Sequence, residues 1–238
     1  MSLLDKASLV QIPSGYKATK LYSVVPESGV GDLSFTRAST ATRVNDSGLI
    51  ETVAIDTPRI DYTLSGCGKL ILEPQRTNLA IRSQEFDNSI WTTNSSFATV
   101  TADATTSKWG TANADKIVAT TGSTAHYIRQ TNITVVADKY TFSVLAKKAE
   151  WNTIELRGTN FWASTPQGVF NLNTGVVFST ANATATIEDW GDGWYLCTVT
   201  ATTNAIAGSN AKFQISIGNN NSLFVSGDNT SGLYVSDA

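Results

Sequence analysis

The sequence predicts an all-β fold: an antiparallel β-sandwich preceded by an extended N-terminal region with short strands. The first observation is that runs of four to eight residues alternate apolar and polar side chains, as half-buried strands do. In "KYTFSVLAK" this places Tyr140, Phe142 and Val144 on one side, and "AKFQISIG" repeats the pattern. The second is that tight-turn signals separate the runs, such as Asp192-Gly193. The third is that no apolar stripe of helix length lies between them.

The alternating runs begin near Asn78, which predicts two regions. Residues 78–238 contain eight or so strands, which is typical of a sandwich, and the Greek-key jelly roll is the commonest arrangement of this size. Residues 1–77 contain short extended runs broken by turn signals, including "ESGVGD" and "NDSG", with few apolar side chains. Ordering such a segment costs about 1–2 kcal/mol per residue, and little buried area offsets that cost. We therefore expect other chains to complete its sheets or core.

Composition and charge exclude several classes of function. The formal net charge is −3 and the closest approach to a basic cluster is Lys147 and Lys148, so nucleic acid is not an expected partner. The first residues form neither a signal peptide nor a membrane span, which predicts synthesis in a cytoplasm and no membrane insertion. The two cysteines, Cys67 and Cys197, are interpreted as separate small side chains, with a disulfide as the alternative.

Several quoted segments resemble a known kind of protein. "NLAIRSQEFDNSIWTT", "YTFSVLAKKAEWNTIEL", "IEDWGDGWYLCTVTATT" and "SGDNTSGLYVSDA" occur in the order found in phage-encoded carbohydrate-binding-module-like jelly rolls. Upstream, "FTRASTATRVNDSGLIE" and "LILEPQRTNL" are similar to the region that precedes such jelly rolls in structural proteins of phages of gut Bacteroidetes. The resemblance implies a non-enzymatic virion component, a head or tail fibre or spike, assembled in the host bacterial cytoplasm. It implies that residues 1–77 attach to other virion proteins of the capsid or tail.

A homotrimer is the expected assembly, because three chains around a closed axis can complete one another's exposed strand edges. Arg37 and Arg43 are six residues apart, would share one face of an extended chain, and are predicted to pair with carboxylates of a neighbouring chain. Solvated surface arginines are the alternative. The full set of residues predicted to mediate anchoring and self-association is Leu3, Leu4, Leu9, Tyr16, Tyr22, Arg37 and Arg43.

Exposed aromatic rings near amides or charges predict a glycan site, because a ring face packs on a pyranose while polar groups bond its hydroxyls. The polar segment "GTNFWASTPQG" carries two adjacent rings, and "AEWNTIEL" carries one. The predicted ligand-binding residues are Trp151, Trp162, Phe161, Arg157, Asn160 and Gln167. A packed loop is the alternative for this segment. Trp91 and Trp194 are predicted to be structural.

Catalysis is not expected. A glycosidase needs two carboxylates about 5–9.5 Å apart across a cleft, and no spacing singles out a pair; Glu155 and Glu188 would be the first to replace. No cofactor is expected, although "SGDNTSG" and "EFDN" contain the oxygen ligands that a structural calcium ion prefers, with ordinary turns as the alternative. The alternative functions are an accessory module of a polysaccharide depolymerase and a decoration protein that binds no sugar.

Overall fold

The computed structural model describes residues 4–17, 19–62, 67–73, 77–93, 97–110, 113–160, 165–203 and 208–238. The chain divides into two compact units, Met1–Thr77 and Asn78–Ala238. We call them the N-terminal unit and the sandwich unit. Every strand pair within the named sheets is antiparallel, so the all-β prediction is confirmed. Among the described residues no helix is long and apolar enough to cross a membrane.

The N-terminal unit consists of small sheets. A 3₁₀ turn, Leu4–Lys6, precedes strands β1 (Val10–Lys17), β2 (Lys20–Val25), β3 (Leu33–Ser34), β4 (Ala41–Val44), β5 (Ile50–Val53), β6 (Ile60–Asp61) and β7 (Lys69–Leu70). The sheets are β1-β2-β3, β4-β5 and β6-β7. In the described part of this unit, the buried side chains are Leu21, Val53 and Pro58. The described part of the unit therefore has little core of its own.

The hairpin β4-β5 shows how a hydroxyl-rich stretch folds here. The "NDSG" turn closes it, because the Asn45 Oδ1 accepts hydrogen bonds from the backbone N–H groups of Ser47 (3.0 Å) and Leu49 (2.9 Å). Arg43 pairs with Glu51 directly across the two strands. Hydrogen bonds within the turn and a cross-strand ion pair thus stabilise the hairpin.

In its described residues the sandwich unit contains thirteen strands. They are β8 (Thr92–Thr93), β9 (Ala98–Thr105), β10 (Ala114–Ala119), β11 (Gly122–Val135), β12 (Lys139–Lys148), β13 (Thr153–Thr159), β14 (Gln167–Asn171), β15 (Val176–Ala181), β16 (Thr184–Asp189), β17 (Trp194–Thr202), β18 (Gly208–Gly218), β19 (Phe224–Gly227) and β20 (Gly232–Ser236). One sheet has the order β16-β17-β12-β20-β10-β9. The other has the order β15-β14-β13-β18-β11-β19, with β8 also paired to β11.

The main hydrophobic core takes side chains from both sheets. Phe142 of β12 stacks on Phe213 of β18 with ring centroids 5.0 Å apart. Ile215 and Ile217 are fully buried, as the alternation of "AKFQISIG" predicts. Trp194 packs in a separate cluster with Ala114 and Leu145. The predicted structural role of Trp194 is confirmed, since this side chain is 2% exposed.

Candidate ligand-binding site

The seven-stranded sheet turns a polar face away from the core. Ile154 and Leu156 of β13 belong to the core, so Glu155 and Arg157 lie on the opposite face. Rows of side chains cross the strands there by register: Ser179, Val169, Glu155, Ser216 and Tyr127 form one row, and Ala181, Gln167, Arg157, Gln214 and Arg129 form the next. The face therefore brings amides, hydroxyls and charges from five strands together.

A short turn interrupts this sheet between β18 and β19. Ile217 pairs with His126 and Phe224 pairs with Ala125, so residues 218–223 leave the ladder with β11 while β11 advances by a single residue. Asn219 and Ser222 exchange two backbone hydrogen bonds of 2.9 Å. Asn220 and Asn221 between them have φ values of 48° and 64°. Two consecutive positive φ angles are the mark of a type I′ hairpin turn, which asparagine tolerates better than most residues.

Hydrogen bonds hold the turn against the neighbouring strands. The Asn221 N–H donates to Thr153 Oγ1 at 2.8 Å, and Asn171 Nδ2 donates to Asn221 Oδ1 at 2.7 Å. Gly218 is required at the base of the turn, because a Cβ atom there would lie 2.0 Å from the Ser222 carbonyl oxygen. The turn is therefore fixed in place.

An open cleft of about 330 Å³ lies on this part of the sheet. It is lined by Glu155, Gln167, Val169, Phe178, Ser179, Asn221, Ser222, Leu223 and Phe224. Phe178 is 54% exposed and Phe224 is 73% exposed. Phe178 is the extra residue of a β-bulge, since Val169 pairs with Ser179 and the next residue of β14 pairs with Val177. A bulge redirects side chains, and here an aromatic ring lines the cleft beside polar side chains of the sheet. These polar residues, which we call the floor of the cleft, are Glu155, Gln167 and Ser179.

Glu155 is the chemically unusual residue of the floor. Its side chain is buried, with the whole residue 3% exposed. Ser216 Oγ donates to Glu155 Oε2 at 2.7 Å, and Gln214 Nε2 donates to Ser216 Oγ at 3.0 Å. Burial raises the pKa of Glu155 above its ordinary value, while the Ser216 hydrogen bond and the charge of Arg157 oppose that rise. The floor therefore holds a carboxyl group that is costly to ionise.

The structure brings together two of the predicted ligand-binding residues and separates others. Arg157 and Gln167 lie directly opposite each other across β13 and β14, and Gln167 lines the cleft. Asn160 follows β13, where its Nδ2 donates to the Asn210 carbonyl at 3.4 Å. Phe161 and Trp162 lie outside the described residues.

Trp151 requires a correction. It was predicted to present its ring to a ligand, but it is 5% exposed and belongs to the main core. Its ring meets the ring of the buried His126 edge to face, with centroids 5.4 Å apart. A position after a charged turn and just before a strand therefore does not by itself expose a ring: the Trp151 backbone N–H donates to the Gly232 carbonyl at 3.0 Å, and the ring packs in the core.

The two phenylalanines of the cleft are not among the residues that the sequence predicts to bind a ligand. The segment "GVVFST" contains Phe178 and "SLFVSG" contains Phe224, each bulky among small and polar neighbours. That contrast could have identified each ring as a candidate for exposure. The meeting of the two rings in one cleft could not be predicted, because it depends on a bulge in β15 and on the turn at residues 219–222.

Among the residues that the structure describes, other carboxylates do not assemble around Glu155. Glu188 lies in β16 of the other sheet and is exposed, while Ile187 beside it packs on the core between the sheets. Asp228 accepts hydrogen bonds from Thr230 and from Ser231, which hold its pKa well below the usual range, as in an ordinary turn. No group of three or more potential metal ligands occurs among the described residues.

Two residues predicted to mediate self-association are exposed. Leu9 is 51% exposed and Tyr22 is 43% exposed. The Tyr16 hydroxyl donates to the Asp56 carbonyl at 2.8 Å within the same unit. Leu3 and the side chain of Leu4 lie outside the described residues.

The pairing of the two arginines with a neighbouring chain stays a prediction, and within the chain both side chains already have partners. Arg43 forms an ion pair of 2.6 Å with Glu51 of its own hairpin. Arg37 donates to the carbonyl groups of Ser39, Val53 and Ala54. Arg37 lies outside any strand, so the two residues do not share the face of one extended segment. Both guanidinium groups therefore stabilise the chain's own fold.

No protein-family model matches this chain, and no curated protein matches it significantly.

Proposed function

We propose that this chain is a non-enzymatic structural component of a phage virion, a head or tail fibre or spike, whose sandwich unit binds glycans through the cleft on the seven-stranded sheet. The observation that carries the glycan-binding part is the pair of exposed rings, Phe178 and Phe224, beside a floor containing Glu155 and Gln167. The resemblance of the quoted segments to phage fibre and spike proteins carries the virion part.

The cleft suits a small sugar in size and chemistry. Its volume of about 330 Å³ is near the lower end of the ~300–1,000 Å³ range of ligand sites. Phenylalanine faces can pack on the C–H faces of a pyranose, and the amides of Gln167 and Asn221 can bond its hydroxyls. Because the turn that carries Asn221 is fixed by hydrogen bonds, little ordering is needed on binding.

The jelly-roll assignment belongs to the same proposal. Four strands of one sheet have the order β10-β20-β12-β17, and four of the other have the order β11-β18-β13-β14. Successive strands from β10 to β13 alternate between the two sheets. This alternation supports a Greek-key arrangement of the kind found in jelly rolls.

The N-terminal unit attaches the chain to capsid or tail proteins and joins three copies into a homotrimer. Its small described core and the exposed side chains of Leu9 and Tyr22 support this part of the proposal. A virion displaying many copies would sum weak contacts with cell-surface glycans through multivalency.

The test is a glycan array probed with the full chain and with two variants of β15. Phe178→Ala removes a ring of the cleft. Val176→Ala is the matched control, because Val176 is 50% exposed on the same strand and does not line the cleft. We expect the first variant to lose about 1–3 kcal/mol of binding free energy and the control to bind normally. Equal glycan binding by both variants would show that the cleft is not the glycan-binding site.

The same protein can be used to distinguish the proposed function from two alternatives. A decoration protein would bind no glycan on the array. A depolymerase with the buried Glu155 as its acid would release reducing sugars from capsular polysaccharide, and Glu155→Gln would abolish that release.

A further inference from the structure

We propose that the cleft selects sugars by charge: it prefers amino sugars, whose ammonium group pairs with Glu155, and it rejects uronates and other anionic sugars. Glu155 would then be the residue that determines specificity. This inference rests on the proposed glycan-binding function of the cleft and names the class of ligand.

The first support is the charge of the lining. Among the nine described residues that line the cleft, Glu155 is the one that ionises. The others are amides, hydroxyls and apolar side chains. A cationic ligand group would therefore meet a carboxylate, and an anionic group would meet the same carboxylate with no cation in the lining to offset it.

The second support is the direction of the hydrogen bonds around Glu155. Gln214 donates to Ser216, and Ser216 donates to Oε2 of Glu155. Among the described residues, no side chain or backbone group donates to Oε1. An ammonium group has three donors and no acceptor, so it fits an acceptor that has no donor.

The third support is the presence of two aromatic rings in the cleft lining. Phe178 and Phe224 both line the same cleft as Glu155. Ring faces attract cations electrostatically, and the combination of rings with a carboxylate suits an ammonium group better than a neutral acetamide.

Other charged side chains of this face lie outside the cleft lining. Arg157 is two residues beyond Glu155 on the same face of β13, and Lys212 of β18 pairs with Thr159, still further along. Arg129 of β11 lies opposite Gln214, with its guanidinium over the Tyr127 ring at 5.4 Å. The opposing strand β14 contributes Val169 and Gln167 at these positions. Arg157 weakens the field of Glu155 without lining the cleft.

Burial raises the pKa of Glu155, so ligands that pair with its ionised form must also displace its proton. Affinity for an amine should therefore increase as pH rises through the raised pKa of Glu155, as long as the sugar amine stays protonated. The affinity for an N-acetylated sugar should change less over the same range.

The experiment measures binding of the full chain by titration calorimetry to three oligosaccharides: a glucosamine tetramer, its fully N-acetylated form and a galacturonate tetramer. We expect the amine to bind about tenfold more tightly than the acetamide, and the uronate to bind more weakly than both. Glu155→Gln should remove the preference for the amine while retaining acetamide binding. Glu188→Gln is the matched control, because Glu188 is exposed on the other sheet.

The outcomes separate the inference from the function on which it rests. Equal affinity of the unsubstituted chain for amine and acetamide, or tight uronate binding, overturns charge selection and leaves glycan binding in place. An amine preference that survives Glu155→Gln also overturns it. Binding of none of the three sugars overturns both. If Glu155→Gln does not fold, the pH series on the unsubstituted chain decides, since a pH-independent ratio of amine to acetamide affinity contradicts the role of Glu155.

Discussion

Cutting the chain between Thr77 and Asn78 tests whether the sandwich unit is stable alone and the N-terminal unit is not. The sandwich unit has 238 − 77 = 161 residues. At about 0.7 kcal/mol per residue near 60 °C, its unfolding enthalpy should be about 110 kcal/mol, with a heat-capacity change of about 2 kcal/mol/K. We expect residues 78–238 to show a single calorimetric transition of that size.

The N-terminal unit should behave differently. Its described buried side chains include two large aliphatic ones, Leu21 and Val53, whose burial contributes about 3–6 kcal/mol together. Fixing the backbone costs about 1–2 kcal/mol for each residue ordered. We therefore expect the isolated fragment 1–77 to be unfolded as a dilute monomer and to show no cooperative transition.

Calorimetry and sedimentation of both fragments and the full chain provide the measurement. A monomeric 1–77 fragment that unfolds cooperatively, with an enthalpy near the ~50 kcal/mol expected for its length, would refute the reasoning. An oligomeric 78–238 fragment beside a full chain that is no larger would remove the support for N-terminal self-association. The control is the concentration dependence of the full chain's transition temperature, which should rise with concentration if assembly stabilises it.

Three further predictions concern the sandwich unit. Leu156→Ala should reduce the free energy of unfolding by about 2–5 kcal/mol in urea titrations, because Leu156 is fully buried between the sheets. Asp115→Ala should reduce it by about 2–4 kcal/mol, because the Asp115 carboxylate accepts the N–H groups of Phe86 at 2.7 Å and of Asp103 at 2.9 Å, and both donors would lose their partner. Glu155→Gln should raise the urea midpoint near neutral pH and leave it unchanged near pH 4. The reason is that a raised carboxyl pKa favours folding below the ordinary value of 4.5, and this contribution is lost as pH rises through the folded-state pKa.

The sequence contains most of the information needed to place the strands of the sandwich. Period-two alternation in "KYTFSVLAK" predicts which side chains enter the core, and Phe142 and Val144 are buried there. Turn residues identify the hairpin at Asp192-Gly193, where both residues have positive φ. These features are local, so the residues that determine them are adjacent in the chain.

The site is less accessible to sequence reasoning because it depends on register between distant strands. Glu155 meets Ser216 across 61 positions of sequence, and Arg43 meets Glu51 only once the β4-β5 hairpin has formed. Trp151 illustrates the opposite difficulty. A tryptophan next to polar residues is consistent with either a ligand platform or a buried side chain, and the contact with His126, distant in sequence, decides between them.

Glu155 is the strongest reason to regard the cleft as functional rather than as an incidental depression. A glutamine at this position could keep the hydrogen bond to Ser216 without the cost of ionising a buried group. Departures from local rules that reduce stability are expected chiefly at functional sites. We therefore expect the ionised carboxylate to lower the stability of the fold and to contribute to ligand binding. Glu155→Gln should gain stability at neutral pH and lose selectivity for amines. A variant that gained stability with every binding constant unchanged would show that the carboxylate has no part in recognition.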